Sequence, residues 1–244
     1  MILEVCIDSI QGAHIVKETG AQRVELCANL PEGGVTPSLG TVEKVCEILS
    51  CKTQVHVLIR PRGGDFLYSD DEYAAMLSDI ACCGKAHCNG VVIGMLHPDG
   101  RIDKVRCQAM VALAHRLNMS VTFHRAFDRS CDLFQSLEDC IEIGCDRILT
   151  SGGYESAVQG KHILKALIEQ ANRRIIVMPG AGITPDNAAE LIRATDAQEI
   201  HGTFRSLYRG QTQYENPNFS RQAQQEYWQW LPDARKIDKI VALF

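Results

Sequence analysis

A single α/β domain folded as a (β/α)8 TIM barrel is the fold class this chain predicts, on three observations. Eight short stretches with strand periodicity are each followed by a helix-forming stretch, with roughly 20 to 35 residues between strand starts. The length, 244 residues, suits one closed barrel of about 250. No Gly-x-Gly-x-x-Gly follows the first strand, which disfavours an open doubly wound sheet, the other economical arrangement of βα units. No linker or shift of composition marks a second domain. Residues 1–244 therefore read as one unit, with a polar loop and a C-terminal helix at about 209–244.

The first strand is expected from Leu3 to Asp8, with Leu3, Val5 and Ile7 on one face and Glu4, Cys6 and Asp8 on the other. Asp8 or Ser9 can cap a helix reaching about Gly20, which would serve as its C′ glycine. The second strand sets Val24 and Leu26 against Arg23, Glu25 and Cys27, then breaks at Asn29 into a loop that carries Pro31, Gly33 and Gly34. A helix follows through Ser50. The third strand, Gln54 to Ile59, alternates Val55, Val57 and Ile59 with His56 and Leu58, and Arg60-Pro61-Arg62-Gly63-Gly64 ends it. Ser69-Asp70-Asp71-Glu72 reads as a helix start with acids in the first turn.

A fourth strand at about Gly90–Gly94 leads through the Pro98-Asp99-Gly100 turn to a helix ending near Arg116. The fifth, Ser120 to His124, precedes a helix over about Leu133–Ile143, closed by Gly144. The sixth, Arg147 to Thr150, runs into Ser151-Gly152-Gly153 and a helix to about Asn172. The seventh, Ile175 to Met178, ends in Pro179-Gly180-Ala181-Gly182, and Thr184-Pro185-Asp186 looks like a helix start with threonine capping and proline at N1. The eighth is Gln198 to His201. A last helix is expected between Arg221 and Phe244, interrupted by Pro232.

Composition narrows the functions. The formal net charge is −5 and no long basic run occurs, which argues against nucleic acid or an anionic membrane as partner. No apolar stretch is long enough to span a bilayer, and Met1-Ile2-Leu3-Glu4 opens a strand rather than a secretory signal. A cytoplasmic protein is expected, and its 11 cysteines are then thiols rather than a disulfide framework.

In a barrel the apolar strand faces pack under the helices and the alternate faces point inward. Here the inward set is unusually polar: Glu4, Arg23, Glu25, His56, Thr122 and Glu199 among others. Buried charges need partners, so this lining implies an ion-pair network, a ligand, or both. Chemistry belongs at the C-terminal strand ends. Glu25, His124 and His201 there suit general acid–base work, with Arg60 as a fourth catalytic candidate. Arg60, Arg62, Arg125 and Ser151, with Gly180 and Gly182 as a backbone turn, suit an anion. Each also has a plain structural reading, as loop anchor, turn or floor ion pair. Cys6 and Cys27 lie on the inward faces of adjacent strands, which run about 4.8 Å apart, so two thiols can meet there. Such a pair is a site for a soft ion such as Cu(I), or simply two small residues filling a tight interior.

Several long segments together resemble one family. They are Arg23-Val24-Glu25-Leu26-Cys27 with Glu32-Gly33-Gly34-Val35-Thr36-Pro37-Ser38, Arg60-Pro61-Arg62-Gly63-Gly64-Asp65-Phe66, Val121-Thr122-Phe123-His124-Arg125-Ala126-Phe127-Asp128, and Ile148-Leu149-Thr150-Ser151-Gly152, followed by Gly180-Ala181-Gly182. The chain is similar in these to the CutC, or copper homeostasis protein, family. The resemblance implies a TIM barrel, a cytoplasmic homo-oligomer (dimer or tetramer), and copper handling with Cys6 and Cys27 as Cu(I) ligands. The alternative is an enzyme acting on a small phosphorylated or carboxylated metabolite, because a two-thiol site has no use for so many arginines and histidines.

Overall fold

The structure is a computed structural model that describes residues 1–50, 52–214, 216, 218 and 227–244. Eight parallel strands form one sheet: β1 (Ile2–Ile7), β2 (Arg23–Leu26), β3 (Gln54–Leu58), β4 (Gly90–Ile93), β5 (Ser120–Phe123), β6 (Arg147–Thr150), β7 (Ile176–Pro179) and β8 (Glu199–Gly202). Their order is β7-β6-β5-β4-β3-β2-β1-β8, and β7 also contacts β8, so the sheet curls into a nearly closed barrel as expected. Helices α1 (Ile10–Lys17), α2 (Leu39–Leu49), α3 (Asp70–Lys85), α4 (Lys104–Arg116), α5 (Leu133–Glu142), α6 (Lys161–Ala171) and α7 (Ala188–Thr195) alternate with the strands, and α8 (Ala234–Val241) follows a two-stranded antiparallel insertion, β9 (Arg205–Arg209) and β10 (Trp228–Pro232). Among the described residues no helix is long and apolar enough to cross a membrane.

The period-two argument places the core. Leu3, Val5, Val24, Leu26, Val55, Val57, Val91, Ile148, Val177 and Ile200 all join one apolar shell between strands and helices. Inside the barrel a small apolar cluster of Cys6, Cys27, Leu58 and Val92 remains, with Leu149 and Met178 also buried. The rest of the interior is polar, and the network described below satisfies most of it.

Local signals act where the chain is regular. Ser69 and Glu72 form a reciprocal capping box on α3, and Gly144 with φ +87° closes α5. Three expectations change. Helix α1 stops at Lys17 with Glu18 as its C-cap, and Gly20 instead admits Val241, whose Cγ1 lies 2.8 Å from where a β-carbon would stand. Helix α7 starts only at Ala188, because Thr184–Asn187 close a separate turn through the Thr184 N–H to Asn187 Oδ1 bond of 2.8 Å. Pro232 does not interrupt a helix but ends β10, after which Asp233 caps α8. The part of the expected last helix at 221–226 lies outside the described residues, as do 215, 217, 219 and 220 of the polar loop.

Candidate functional site

The strand registers explain why the polar lining meets. Glu4 is level with Arg23, Cys6 with Glu25, Glu25 with His56, and Glu4 with His201. One connected chain of contacts results. His201 Nδ1 and Glu4 Oε1 are 2.8 Å apart, and the other Glu4 oxygen accepts from Arg23 Nε. Arg23 Nη2 donates to Glu199 Oε2, which also accepts from Arg147 Nε at 3.2 Å. Arg147 Nη1 donates to Ser120 Oγ at 3.1 Å, and Ser120 Oγ lies 3.3 Å from His56 Nε2. This floor is the ion-pair network that the charged inner face requires.

Above it the groups change character. The Cys6 and Cys27 sulfurs are 3.9 Å apart, and Cys27 Sγ is 3.5 Å from the Ile7 carbonyl oxygen. His201 Nε2 stands 3.6 Å from Glu25 Oε2. Donor atoms of Cys6, Glu25 and His201, all buried, lie within 4.8 Å of one another, a spacing that can hold a metal ion. The hydrogen bond to Cys27, and then burial, push the Cys6 thiol well above its ordinary range. Burial raises the Glu25 carboxyl against the pull of His201. Burial alone would lower His201, but Glu4 and Glu25 outweigh it and the imidazole is raised. Burial also works against Glu4, but Arg23 and His201 prevail and hold that carboxyl down.

The mouth opens into a cavity of about 990 Å³, whose wall includes Cys6, Glu25, Arg60, His124, Arg125 and His201, with Gly182 among the loop residues. Cys27 is not on that wall: it lies beneath Gly34, at which a β-carbon would come within 3.3 Å of the Cys27 β-carbon. Arg60 is buried, and its Nη groups donate to the carbonyls of Glu32, Gly34 and Gly64. Besides Cys27, three more candidates lie off the wall. Arg62 is off the cavity, its fork spent on Asp65, Glu72 and the Leu67 carbonyl. Ser151 is fully buried between Arg125 and Asp128. Gly180 sits off the wall against Leu149 and His201, with room only for a hydrogen: a β-carbon would meet Leu149 Cδ1 at 2.5 Å.

His124 is fixed in one tautomer. Its Nδ1 accepts the Ala126 N–H at 3.0 Å, so the neutral ring carries its proton on Nε2. Burial and the nearby Arg60 charge hold its pKa down to about 3, and Nε2 has no hydrogen-bond partner among the described residues. Glycines on β4 and just after it make room for both inner histidines: a β-carbon on Gly90 would stand 2.6 Å from His56 Nε2, and one on Gly94 2.4 Å from His124 Cε1. Gly94→Ala is expected to displace the His124 ring, break its bond to Ala126 and cost about 1–3 kcal/mol of stability in urea unfolding. Parental stability would show that the ring moves aside freely.

Sequence reasoning missed Gly90 and Gly94, Asp128, and the cations Arg205, Lys236 and Lys239. The glycines carried a readable signal, two glycines on one face of a strand facing histidines on its neighbours. Asp128 binds Thr150 Oγ1 and the Ser151 and Gly153 N–H groups, so it ties the β5 and β6 loops together. The lysines carried none, because only the return of α8 along the barrel brings them to the mouth.

Fold and site define a class first: a (β/α)8 barrel with a thiol, a carboxylate and an imidazole clustered inside its C-terminal mouth. The model of the CutC family matches residues 1–206, and this chain belongs to that family. It is 47% identical over 199 residues to a CutC family protein of Vibrio vulnificus strain CMCP6, covering 82% of this chain and 79% of that one. It is 41% identical over 245 residues to the copper homeostasis protein cutC homolog of Homo sapiens, covering 99% of this chain and 88% of the relative. The solved structure of CutC from Streptococcus agalactiae superposes with a TM-score of 0.78 at 32% identity, over 83% of this chain and 98% of that one.

Proposed function

We propose that this member of the copper homeostasis family is a cytoplasmic Cu(I)-binding protein whose ion is held by Cys6 and Cys27. The observation that carries this reading is the pair of sulfurs 3.9 Å apart inside the barrel, with Glu25 and His201 beside Cys6. Two thiolates and an imidazole are soft and borderline donors, a set that favours Cu(I) over hard cations. Relatives named copper homeostasis proteins align along nearly the whole chain. Cys6 lines the cavity and Cys27 lies behind it, so an incoming ion meets Cys6 first.

The thiol state sets the pH dependence. Cys6 is protonated at neutral pH because Cys27 and burial raise it, so binding must release a proton. The Glu25 carboxylate beside it can accept that proton. Cu(I) affinity should therefore strengthen with rising pH.

The other cysteines complicate the assay. The ten described cysteines are free thiols, and Cys46 and Cys88 form a second close pair at 3.6 Å. The test is a Cu(I) competition titration in a background without the nine other cysteines. Changing Cys6 and Cys27 to serine there is expected to weaken binding by at least about 100-fold. Unchanged affinity would remove the pair as the site.

A further inference from the structure

The Cu(I) reading uses one corner of the mouth and leaves most of it unexplained. A cavity of about 990 Å³ is far more than an ion needs and falls at the upper end of small-molecule sites, about 300–1,000 Å³. Its wall carries six cationic side chains and four acidic ones, although the chain has a formal net charge of −5. One of those acids, Asp128, is already saturated by Arg125 and the Thr150–Gly153 loop.

Two sets of unspent donors face this space from opposite sides. On one side, Ala181 and Gly182 have φ of +78° and +70°, and the N–H groups of Ala181, Gly182, Ile183 and Thr203 donate to no acceptor among the described residues. These residues line the cavity after β7 and β8, together with Arg205 and Lys239. Lys239 has no ion-pair partner among the described residues, and Arg205 reaches Asp8 only at 3.8 Å. Successive N–H groups in a left-handed turn with cations beside them form an anion cradle. In (β/α)8 enzymes, the loops after strands 7 and 8 are where a phosphate commonly sits.

On the other side, His124 is only 5% exposed, lines the same cavity and has a donor Nε2–H with no partner among the described residues. Beside it Arg60, also 5% exposed, touches loop carbonyls but no carboxylate among the described residues. The Phe66 ring packs against both, 4.9 Å from the His124 centroid at a tilt of 44° and 4.9 Å from the Arg60 Cζ. A buried cation without a counter-ion and a buried donor without an acceptor are both costly. One ligand oxygen placed there relieves both.

We propose that the mouth binds a small phosphorylated metabolite, its phosphate against the β7 and β8 loops with Lys239 and Arg205, and a carbonyl, carboxylate or hydroxyl oxygen on His124 Nε2–H beside Arg60. A tetrahedral dianion uses several N–H groups and two cations at once, which a single carboxylate does not. The volume of the cavity accommodates the body of such a molecule between these two sets of donors. This site is independent of the thiol pair.

Isothermal titration of the full chain with inorganic phosphate, ribose, glycerol 3-phosphate and ribose 5-phosphate tests it. Inorganic phosphate should bind weakly, ribose not at all, and at least one of the two esters about tenfold tighter than phosphate. Lys239→Glu, at an exposed position, should weaken both phosphate and esters about tenfold or more. His124→Phe should weaken the esters and leave inorganic phosphate unchanged; should that variant not fold, Lys239→Glu decides alone. Cys27→Ser, off the cavity wall, should bind all of them as the parent does. The proposal is overturned if no phosphate compound binds, if neither ester exceeds inorganic phosphate, if Lys239→Glu leaves binding intact, or if Cys27→Ser abolishes it.

Discussion

Arg23→Met should destabilise the protein by about 3–5 kcal/mol, the largest single loss expected anywhere in the chain. Arg23 is fully buried and holds two carboxylates at once, Glu4 through Nε and Glu199 through Nη2. The same Nη2 also rests against Met178 Sδ at 3.3 Å. Methionine fills most of the volume but strands Glu4 and Glu199 in a medium that does not solvate charge. Their remaining partners, His201 on Glu4 and Arg147 on Glu199, offset only part of that cost. Arg23→Lys should be nearly as damaging, since one ammonium cannot reproduce a fork that bridges two carboxylates. Adding Glu4→Gln to Arg23→Met should restore part of the loss, because the stranded charge then disappears. Urea unfolding of the four proteins measures this. If Arg23→Met unfolded at the parental midpoint with an unchanged slope, the floor network would contribute nothing to stability.

How much of this was legible in the chain follows from what kind of interaction places each group. Period two alone put Glu4, Arg23, Glu25, Cys6 and Cys27 on inward faces, and the registers that pair Glu4 with Arg23 and Cys6 with Glu25 agree. That inference was secure because a one-residue slip would bury the charges under the helices and expose Val24 and Leu26 to the interior. The arginines after β3 were harder. Arg60 and Arg62 look alike flanking a proline, yet one turns inward to loop carbonyls and the other outward to Glu72. Nothing in a residue type announces that its partners will be carbonyl oxygens. The strand β10 was hidden for another reason. Trp228-Gln229-Trp230 alternates as a strand should, but its partner β9 ends at Arg209, across the polar stretch read as a loop, and Pro232 suggested a broken helix instead. The exposed Trp228 and Trp230 rings are what that alternation leaves outside.

The inner histidines should make the fold acid-sensitive well above the carboxylate range. His56 and His124 are both held down to about 3, chiefly by burial, against an ordinary value of 6.5. In the unfolded chain both protonate below pH 6.5; in the folded chain neither does until about pH 3. The unfolded state therefore binds more protons across that window, and stability falls as pH drops, by about 1.4 kcal/mol per unit for each ring. At pH 5 the two together amount to roughly 4 kcal/mol. Three neighbours modify this. His201 is raised, so its contribution is complete below pH 6.5 and is lost as pH rises through its folded value. It trims the alkaline side and adds nothing to the acid loss. Glu25 is raised above 4.5, so it takes up a proton early in the folded state and offsets part of the loss near pH 5. Glu4 is lowered, and its contribution, present above 4.5, fades below that value and steepens the final decline. Stability should thus peak close to pH 6.5–7. Chemical denaturation at intervals from pH 5 to 8 tests the curve, and His124→Phe should remove about half of the slope between pH 6.5 and 5. A flat profile over that interval would mean that both rings accept protons inside the folded barrel, and the neutral Nε2–H donor assigned to His124 would fail with it.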